Sequence, residues 1–384
     1  MPKLLMAEST YLDSPLKVGC HHYSRILAEA GDLDIFYLST PFSPLHFLKR
    51  SNAAQTRERA GVWRNGPVRR TGNLLEYVPF TLLPIYNRYP LSSAFACRHS
   101  LDFTMPSLGG VLRRSGFAEV DALLLSHPLL HGVRRLIECG RFAYRVTDDI
   151  TEFPEIPQSI LEAHNAALRE ADVVVTTSRN LACKLAGIRG RDDVHVLPNG
   201  VDLDVFRGDQ PEPEDLAGIP HPRAVYVGAI DSWFDVPMLE GAARALPNVH
   251  FVLIGPVRIP LSQIESLPNM RILGRKPYAD IPAYLRHSDV GIIPFARSQL
   301  VDSVSPIKLF EYAAAGLPIV SRRWKELELL EPPATLVDDS LTMAAGIRAA
   351  TERPPDAGVL SAFAEAHSWR SRAARLREIL FPQK

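Results

Sequence analysis

Residues 303–321 read SVSPIKLFEYAAAGLPIVS. Ser305 suits a helix N-cap and Pro306 the first position after it, so the stretch predicts a helix over 306–316 and a strand over 317–321. The start of such a helix presents unpaired N–H groups and the positive end of a dipole, a ready seat for phosphate. Lys308 in the first turn opposes that dipole and so needs a reason. A ligand diphosphate supplies one. Glu311 follows three residues on, on a similar face, and can accept hydrogen bonds from two ribose hydroxyls. The same residues also read as an amphipathic helix with an exposed Lys308–Glu311 pair.

Outward from this segment, short apolar runs alternate with helical patterns. In the first half, strands are expected at 3–8, 34–39, 121–128, 142–149, 172–178 and 194–198, with helices at 19–31, 129–140, 157–171 and 179–187. The pattern restarts after the polar, proline-rich stretch 206–222 (FRGDQPEPEDLAGIPHP), read as a linker. Strands then fall at 224–230, 250–255, 269–274, 289–295, 317–321 and 334–339. Helices are read at 235–247, 279–288, 306–316 and 341–352, and a basic amphipathic helix at 361–380, with Arg370, Arg372 and Arg375 on its wet face. Strands apolar on both faces and linked by helices indicate parallel sheets. The reading is an α/β chain of two doubly wound, Rossmann-like domains: 1–205, then the 206–222 linker, then 223–360, with 361–384 crossing back to the first. Two such units facing one another create a cleft at the carboxyl ends of their strands, where ligands of open α/β sheets bind.

Composition narrows the function. The 384 residues carry 43 Lys plus Arg against 43 Asp plus Glu, which disfavours a nucleic-acid binder. Hydrophobic residues at 46% suffice for packed cores. Cys20, Cys97, Cys139 and Cys183 lie far apart with no CxxC pair, so neither a disulfide framework nor a zinc cluster is expected. No apolar run reaches about 18 residues, and MPKLLMAES is too short in its apolar part for a signal peptide. The expected place is the cytoplasm, or the inner face of the cytoplasmic membrane.

The segment SPIKLFEYAAAGLPIV resembles the carboxyl-terminal signature of GT-B glycosyltransferases. VVVTTSRNLACKL (173–185), LPNGVDLDVF (197–206), VYVGAIDSWFD (225–235), HFVLIGP (250–256) and ILGRKPYADIPAYLRHSDVGIIPF (272–295) follow the same family in order, as does Ser368–Trp369. The resemblance covers about 170–380 and is looser before that. Its flavour is the bacterial cell-surface polysaccharide branch, with teichuronic-acid-type transferases and the membrane-associated glucuronosyltransferase of xanthan synthesis. It implies transfer of a sugar from a nucleoside diphosphate sugar, UDP-linked by preference and GDP-linked otherwise, with no metal and no further cofactor. Glu311 then matches the ribose-binding carboxylate. Lys308 meets the diphosphate or nucleotide, Gly228, Ala229 and Ile230 approach the diphosphate, and Arg275 and Tyr278 border the base. Ser303 stands where many members carry a sugar-contacting Glu, near Ser305. The family's Arg and Lys after the first strand of this domain are absent from AIDSWFD, so Lys308, with Arg297 or Arg275, is left to meet the diphosphate.

The amino-terminal half supplies candidates for catalysis. Asp148 and Asp149 end a strand at the ligand-binding edge, and either carboxylate could deprotonate an acceptor hydroxyl. Asp149 is slightly preferred, and the alternative is that one of the pair caps the next helix. His127 and His22 stand at similar edges, and each also reads as a structural histidine, as does His131. In residues 46–75, Lys49, Arg50, Arg57, Arg59, Arg64, Arg69 and Arg70 face one acid, Glu58, and the aromatic-rich 80–95 follows. Basic and aromatic residues together suggest peripheral membrane contact through 46–95 and a lipid-linked or polysaccharide acceptor. A solvated loop before a core helix is the plainer reading. Three other functions use the same layout: a nucleotide-sugar 2-epimerase, a non-enzymatic two-lobed sugar-binding protein, and a dinucleotide oxidoreductase, the last lacking GxGxxG after the first strand.

Overall fold

A computed structural model describes residues 1–14, 17–48, 53–153 and 155–382. The chain divides into two compact units. Unit 1 is Met1–Leu197 joined by the chain from Arg372 on, and unit 2 is Pro198–Ser371.

Unit 1 is built on an eight-stranded sheet. Its strands are β1 (Lys3–Glu8), β2 (Asp34–Ser39), β3 (Val68–Arg69), β4 (Leu74–Tyr77), β5 (Glu119–Leu125), β6 (Glu138–Val146), β7 (Val173–Thr176) and β8 (Val194–Val196), in the order β3-β4-β2-β1-β5-β6-β7-β8. All pairs are parallel except β3 with β4. Leu4, Leu5, Met6 and Ala7 of β1 are fully buried, as a central strand covered on both faces requires. The order reverses between β1 and β5, so residues just past their carboxyl ends line the expected ligand edge.

Unit 2 has six parallel strands: β9 (Arg223–Val227), β10 (His250–Ile254), β11 (Met270–Gly274), β12 (Val290–Ile293), β13 (Ile319–Arg322) and β14 (Ala334–Val337), ordered β11-β10-β9-β12-β13-β14. Its reversal lies between β9 and β12. There the helix Ile307–Ala314 is pinned by one ring. The Tyr312 side chain is fully buried over Gly291 of β12, where an added Cβ would approach the ring to 2.4 Å. Its hydroxyl accepts the Val227 N–H of β9 at 2.9 Å. The helix that carries Lys308 and Glu311 is thereby fixed against both central strands.

Several readings change. Residues 129–140 are not one α-helix: a 3-10 helix, Pro128–Arg135, is followed directly by β6 from Glu138. Pro128 leads this turn, and β5 recruits the start of β6 as strand through Glu119–Glu138 and Val120–Cys139 pairing. Segment 361–380 is split into helices Ala357–Ala366 and Trp369–Leu380. The break arises because Val201 N–H donates to His367 O and Trp369 N–H to Val201 O, spending backbone groups that a continuous helix would use. Arg370 and Arg375 are exposed, but Arg372 is half-buried beside Tyr23, so it leaves the wet face. Residues 206–222 carry Phe206, Leu216 and Ile219 in the core of unit 2. Arg223 is also buried there, its side chain donating to Ile219 O and to Glu212. Within 46–75, residues 53–64 form a helix, Ala53–Arg64, and 74–77 form β4.

Replacing Gly291 by Ala forces the Tyr312 ring away from β12. Overpacking of this kind costs about 2 kcal/mol. Urea unfolding of Gly291→Ala is expected to show an earlier transition for unit 2. Thermal melting should show a drop of roughly 5 °C.

Candidate functional site

The candidate donor site lies at the carboxyl edge of the unit 2 sheet. The chain leaves β9 through Gly228, whose φ of 147° suits glycine. A Cβ there would sit 3.1 Å from the Tyr226 hydroxyl and 3.2 and 3.3 Å from Lys308 Cε and Nζ. Gly255 follows β10 with φ 149°, and its added Cβ would strike Gly228 O at 1.9 Å. Two glycines therefore let two strand ends and a lysine converge. Of the turn, Gly228 N–H is spent on Ile254 O at 2.9 Å and Ile230 N–H on Pro256 O at 3.0 Å. The Ala229 N–H lies between those two in the loop. Ile230 itself is fully buried.

Lys308 and Glu311 come together. The Lys308 ammonium lies 4.5 Å from the centre of the Phe295 ring and 5.2 Å from that of Tyr226. Burial pulls its pKa down to about 8, with the Glu311 carboxylate opposing the shift. Glu311 is 7% exposed, and burial pushes its pKa up to about 7 against the nearby Lys308 charge and a hydrogen bond from Tyr278. These are two charged groups near one another and short of solvation, so that added polar groups would favour both charged forms. Tyr278 packs edge-on against Phe206, 5.8 Å between centres, which ties it to the start of unit 2.

Other expected members stand apart. Arg275 is exposed. Arg297 is held by Asp338 at 2.9 Å. Ser303 and Ser305 are buried, but Ser305 does not cap the helix, whose N-cap is Pro306 without a side-chain bond. Ser305 instead receives Asn199: its carbonyl accepts the Asn199 side-chain amide at 2.8 Å and its Oγ the Asn199 N–H at 3.4 Å. Asn199, in the quoted LPNGVDLDVF, is thus a missed positioning residue, and its place in a turn gave no chemistry to read.

In unit 1 the two aspartates part company. Asp149 is buried, accepts from Thr151 N–H at 3.1 Å and Thr151 Oγ1 at 2.6 Å, and ion-pairs with Lys184. These bonds outweigh burial and hold its carboxyl below the usual range. It is the helix cap of the alternative reading. Asp148 is exposed as a residue and takes a 2.9 Å bond from Thr147 Oγ1. Crowding by protein raises its pKa, and Arg145 opposes the rise. Arg145 also acts on Glu8, the last residue of β1, which burial raises to about 7. Glu8 is a further carboxyl at this edge, and its only sequence signal was an acid closing an apolar strand. His127 caps the turn after β5, accepting Leu129 N–H at 3.2 Å, and burial lowers its pKa to about 4. His22 is buried and lowered to about 3. His131 pairs with Glu170 at 2.9 Å, away from the strand ends. Among the described residues there is no group of three His, Cys, Asp or Glu side chains that could hold a metal ion.

Two open, doubly wound parallel sheets with this strand order and carboxyl-edge site define the GT-B architecture. Residues 236–378 match the family model described as Glycosyl transferase-like. Among curated proteins, the chain is 29% identical over 150 residues to TuaH of Bacillus subtilis (strain 168), named for glycosyl transfer in teichuronic acid biosynthesis, covering 38% of each. It is 28% identical over 195 residues to the UDP-glucuronate:glycolipid 2-beta-glucuronosyltransferase of Xanthomonas campestris pv. campestris, covering 49% of this chain and 44% of that one. The chain thus spans less than half the length of both relatives. Its fold matches sucrose-phosphate synthase of Thermosynechococcus elongatus at a TM-score of 0.70 and 15% identity, over 99% of this chain and 98% of that one. It also matches Anabaena Alr3699/HepE in complex with UDP and glucose at 0.67 and 15%, over the whole of both. The resemblance drawn from the sequence holds: the fold is GT-B, and the matching segment is glycosyl transferase-like.

The different settings of the aspartates predict different losses. Asp149→Ala removes a cap and leaves Lys184 without its main partner, a loss of about 1–2 kcal/mol. Asp148→Ala should fall within about 0.5 kcal/mol of the parent. The Asp149 contribution is present at neutral pH and is lost as pH falls through its lowered pKa. Denaturant melts of both variants at pH 7 and at about pH 2, below the lowered value, check this.

Proposed function

We propose that the protein is a glycosyltransferase that moves a sugar from a nucleoside diphosphate sugar, UDP-linked by preference, to a lipid-linked or polysaccharide acceptor. The observation that carries the reading is the enclosed Lys308–Glu311 pair beside Gly228, on a helix start at the carboxyl edge of unit 2. Glu311 accepts the ribose hydroxyls, Tyr278 borders the base, and Lys308 with the Ala229 N–H meets the diphosphate. As the sugar leaves, negative charge grows on that diphosphate, and a fixed cation and helix start stabilise it without a metal. The UDP held by the Anabaena protein and the UDP-glucuronate in the Xanthomonas enzyme's name favour uridine.

The acceptor is assigned to unit 1, with Asp148 as general base in an inverting transfer. A base needs an available carboxylate of raised pKa, and Asp148 offers one where Asp149 is committed to Lys184. Contact with the inner face of a membrane is part of the same reading. Phe47, Leu82, Phe103 and Met105 are about half exposed. They adjoin through Phe42–Phe47 and Phe42–Phe80 ring contacts and the Leu82-to-Phe103 and Met105-to-Phe80 backbone bonds. Arg57 and Arg64 on the helix Ala53–Arg64 add charge, while Lys49 and Arg50 lie outside the described residues. Among the described residues no helix is long and apolar enough to cross a membrane.

A thermal-shift panel of UDP, GDP, ADP, TDP and NAD is expected to show UDP raising the melting temperature of the parent protein, in EDTA as without it. Glu311→Ala should lose that shift. A shift from NAD alone, or none at all, would defeat the donor assignment.

Asp148→Asn is expected to lower turnover by about 100-fold or more while UDP binding is kept. The pH profile follows from two signs. Lys308 must be protonated to hold the diphosphate, so donor affinity declines as pH rises through about 8. Asp148 must be ionised to act as base, so turnover rises with pH through its raised value. A rate that is flat at low pH would remove Asp148 from the reaction.

A further inference from the structure

Unit 1 contains a second, unassigned cavity at the carboxyl edge of its own sheet, about 210 Å³ in volume. Ser9 follows β1, Thr40 follows β2 and His127 follows β5, so the cavity spans the reversal of strand order. Arg59 and His46 enter it from the segment between β2 and β3. The wall holds one arginine, two histidines and four hydroxyl side chains, and no carboxylate. Its remaining residues are apolar or proline.

Arg59 is the unusual member. Its guanidinium donates to Thr40 O, reaches Thr40 Oγ1 at 3.5 Å and lies 5.9 Å from the Phe42 ring centre. Among the described residues no carboxylate pairs with it, and its Nε is buried without a hydrogen-bond partner. The neighbouring acid, Glu58, is engaged by the Tyr11 hydroxyl at 2.6 Å. Burial lowers the Arg59 pKa to about 10, the direction expected of a cation lacking an anion. His127 presents a donor: its Nδ1 accepts from Leu129 N–H at 3.2 Å, so it carries its proton on Nε2. His46 Nδ1 accepts from Ser43 N–H at 3.1 Å. Ser100 Oγ is buried in the wall without a partner. Guanidinium, imidazole N–H and hydroxyl donors converging without an acid suit a compact oxyanion, which an arginine fork binds through paired hydrogen bonds.

We propose that this cavity is an oxyanion site for the acceptor, so that the sugar accepted by unit 1 carries a phosphate or carboxylate group that Arg59 receives. The proposal rests on the glycosyltransferase reading for its purpose, but binding of an anion here does not depend on the donor site.

The experiment therefore measures binding in Lys308→Ala protein, where the donor site is disabled, by thermal shift and calorimetry. The probes are inorganic phosphate, glucose 1-phosphate, glucuronate and neutral glucose. The expected result is that at least one anionic probe binds and glucose does not, and that Arg59→Met weakens that binding by at least about tenfold. Preference for glucose 1-phosphate assigns a sugar phosphate, and preference for glucuronate a uronic acid. Phosphate binding as tightly as either sugar assigns the anion alone. Arg59→Met without ligand should melt no lower than the parent, because it removes an unpaired buried charge. Should Arg59→Met fail to fold, Ser9→Asp places a carboxylate at the exposed rim and is expected to abolish the same binding. Equal affinity for glucose and glucose 1-phosphate, or anion binding unchanged by Arg59→Met or Ser9→Asp, would overturn the proposal. Loss of UDP binding in the parent with anion binding intact would instead defeat only the donor reading.

Discussion

The candidate donor site hangs on one aromatic ring. Tyr312 occupies space that only a glycine at 291 leaves open, and its hydroxyl takes the last N–H of β9. One side chain thus registers a helix against two strands at once. Everything chemical in unit 2 is referred to that register: Lys308 lies one turn before the ring, Glu311 beside it, and Gly228 just past the N–H that the ring engages. The buried charges can stay poorly solvated because the helix cannot shift to relieve them.

Most of the sheet was legible because the central strands are apolar on both faces. KLLMAE, HFVLI and VGII need no partner information to be read as buried strands. What escaped was set by tertiary pairing. The split at 367–368 exists because residue 201 bridges to residue 368, 167 positions away in the chain. Nothing in SAFAEAHSWRSRAARLREIL interrupts a helical period. The basic segment before β3 failed for another reason. Its charges masked a helix whose buried face is only Thr56, Ala60 and Val62, too narrow a stripe for periodicity to reveal.

For the site, residue type carried less than position. Glu311 and Lys308 were readable because a lysine in a first helical turn is an electrostatic anomaly. Asp148 and Asp149 were readable as a pair but not as individuals. Their difference comes from Lys184, on a helix 35 residues later, which engages one carboxylate and leaves the other. Glu8 and Asn199 carried no anomaly in sequence, and Arg59 was legible only as one of a basic cluster. Each becomes informative only through burial or a partner brought from far along the chain.

The discontinuity of unit 1 has a consequence for synthesis. Its sheet is built by residues up to 197, yet it also includes the chain from Arg372 on, where Arg377 pairs with Asp32. Between them the ribosome must make all of unit 2. Domains generally fold as they emerge, so the carboxyl-terminal unit can complete itself first, although it is made second. The amino-terminal unit waits, with the surface around Tyr23 that Arg372 covers still open to solvent and to chaperones.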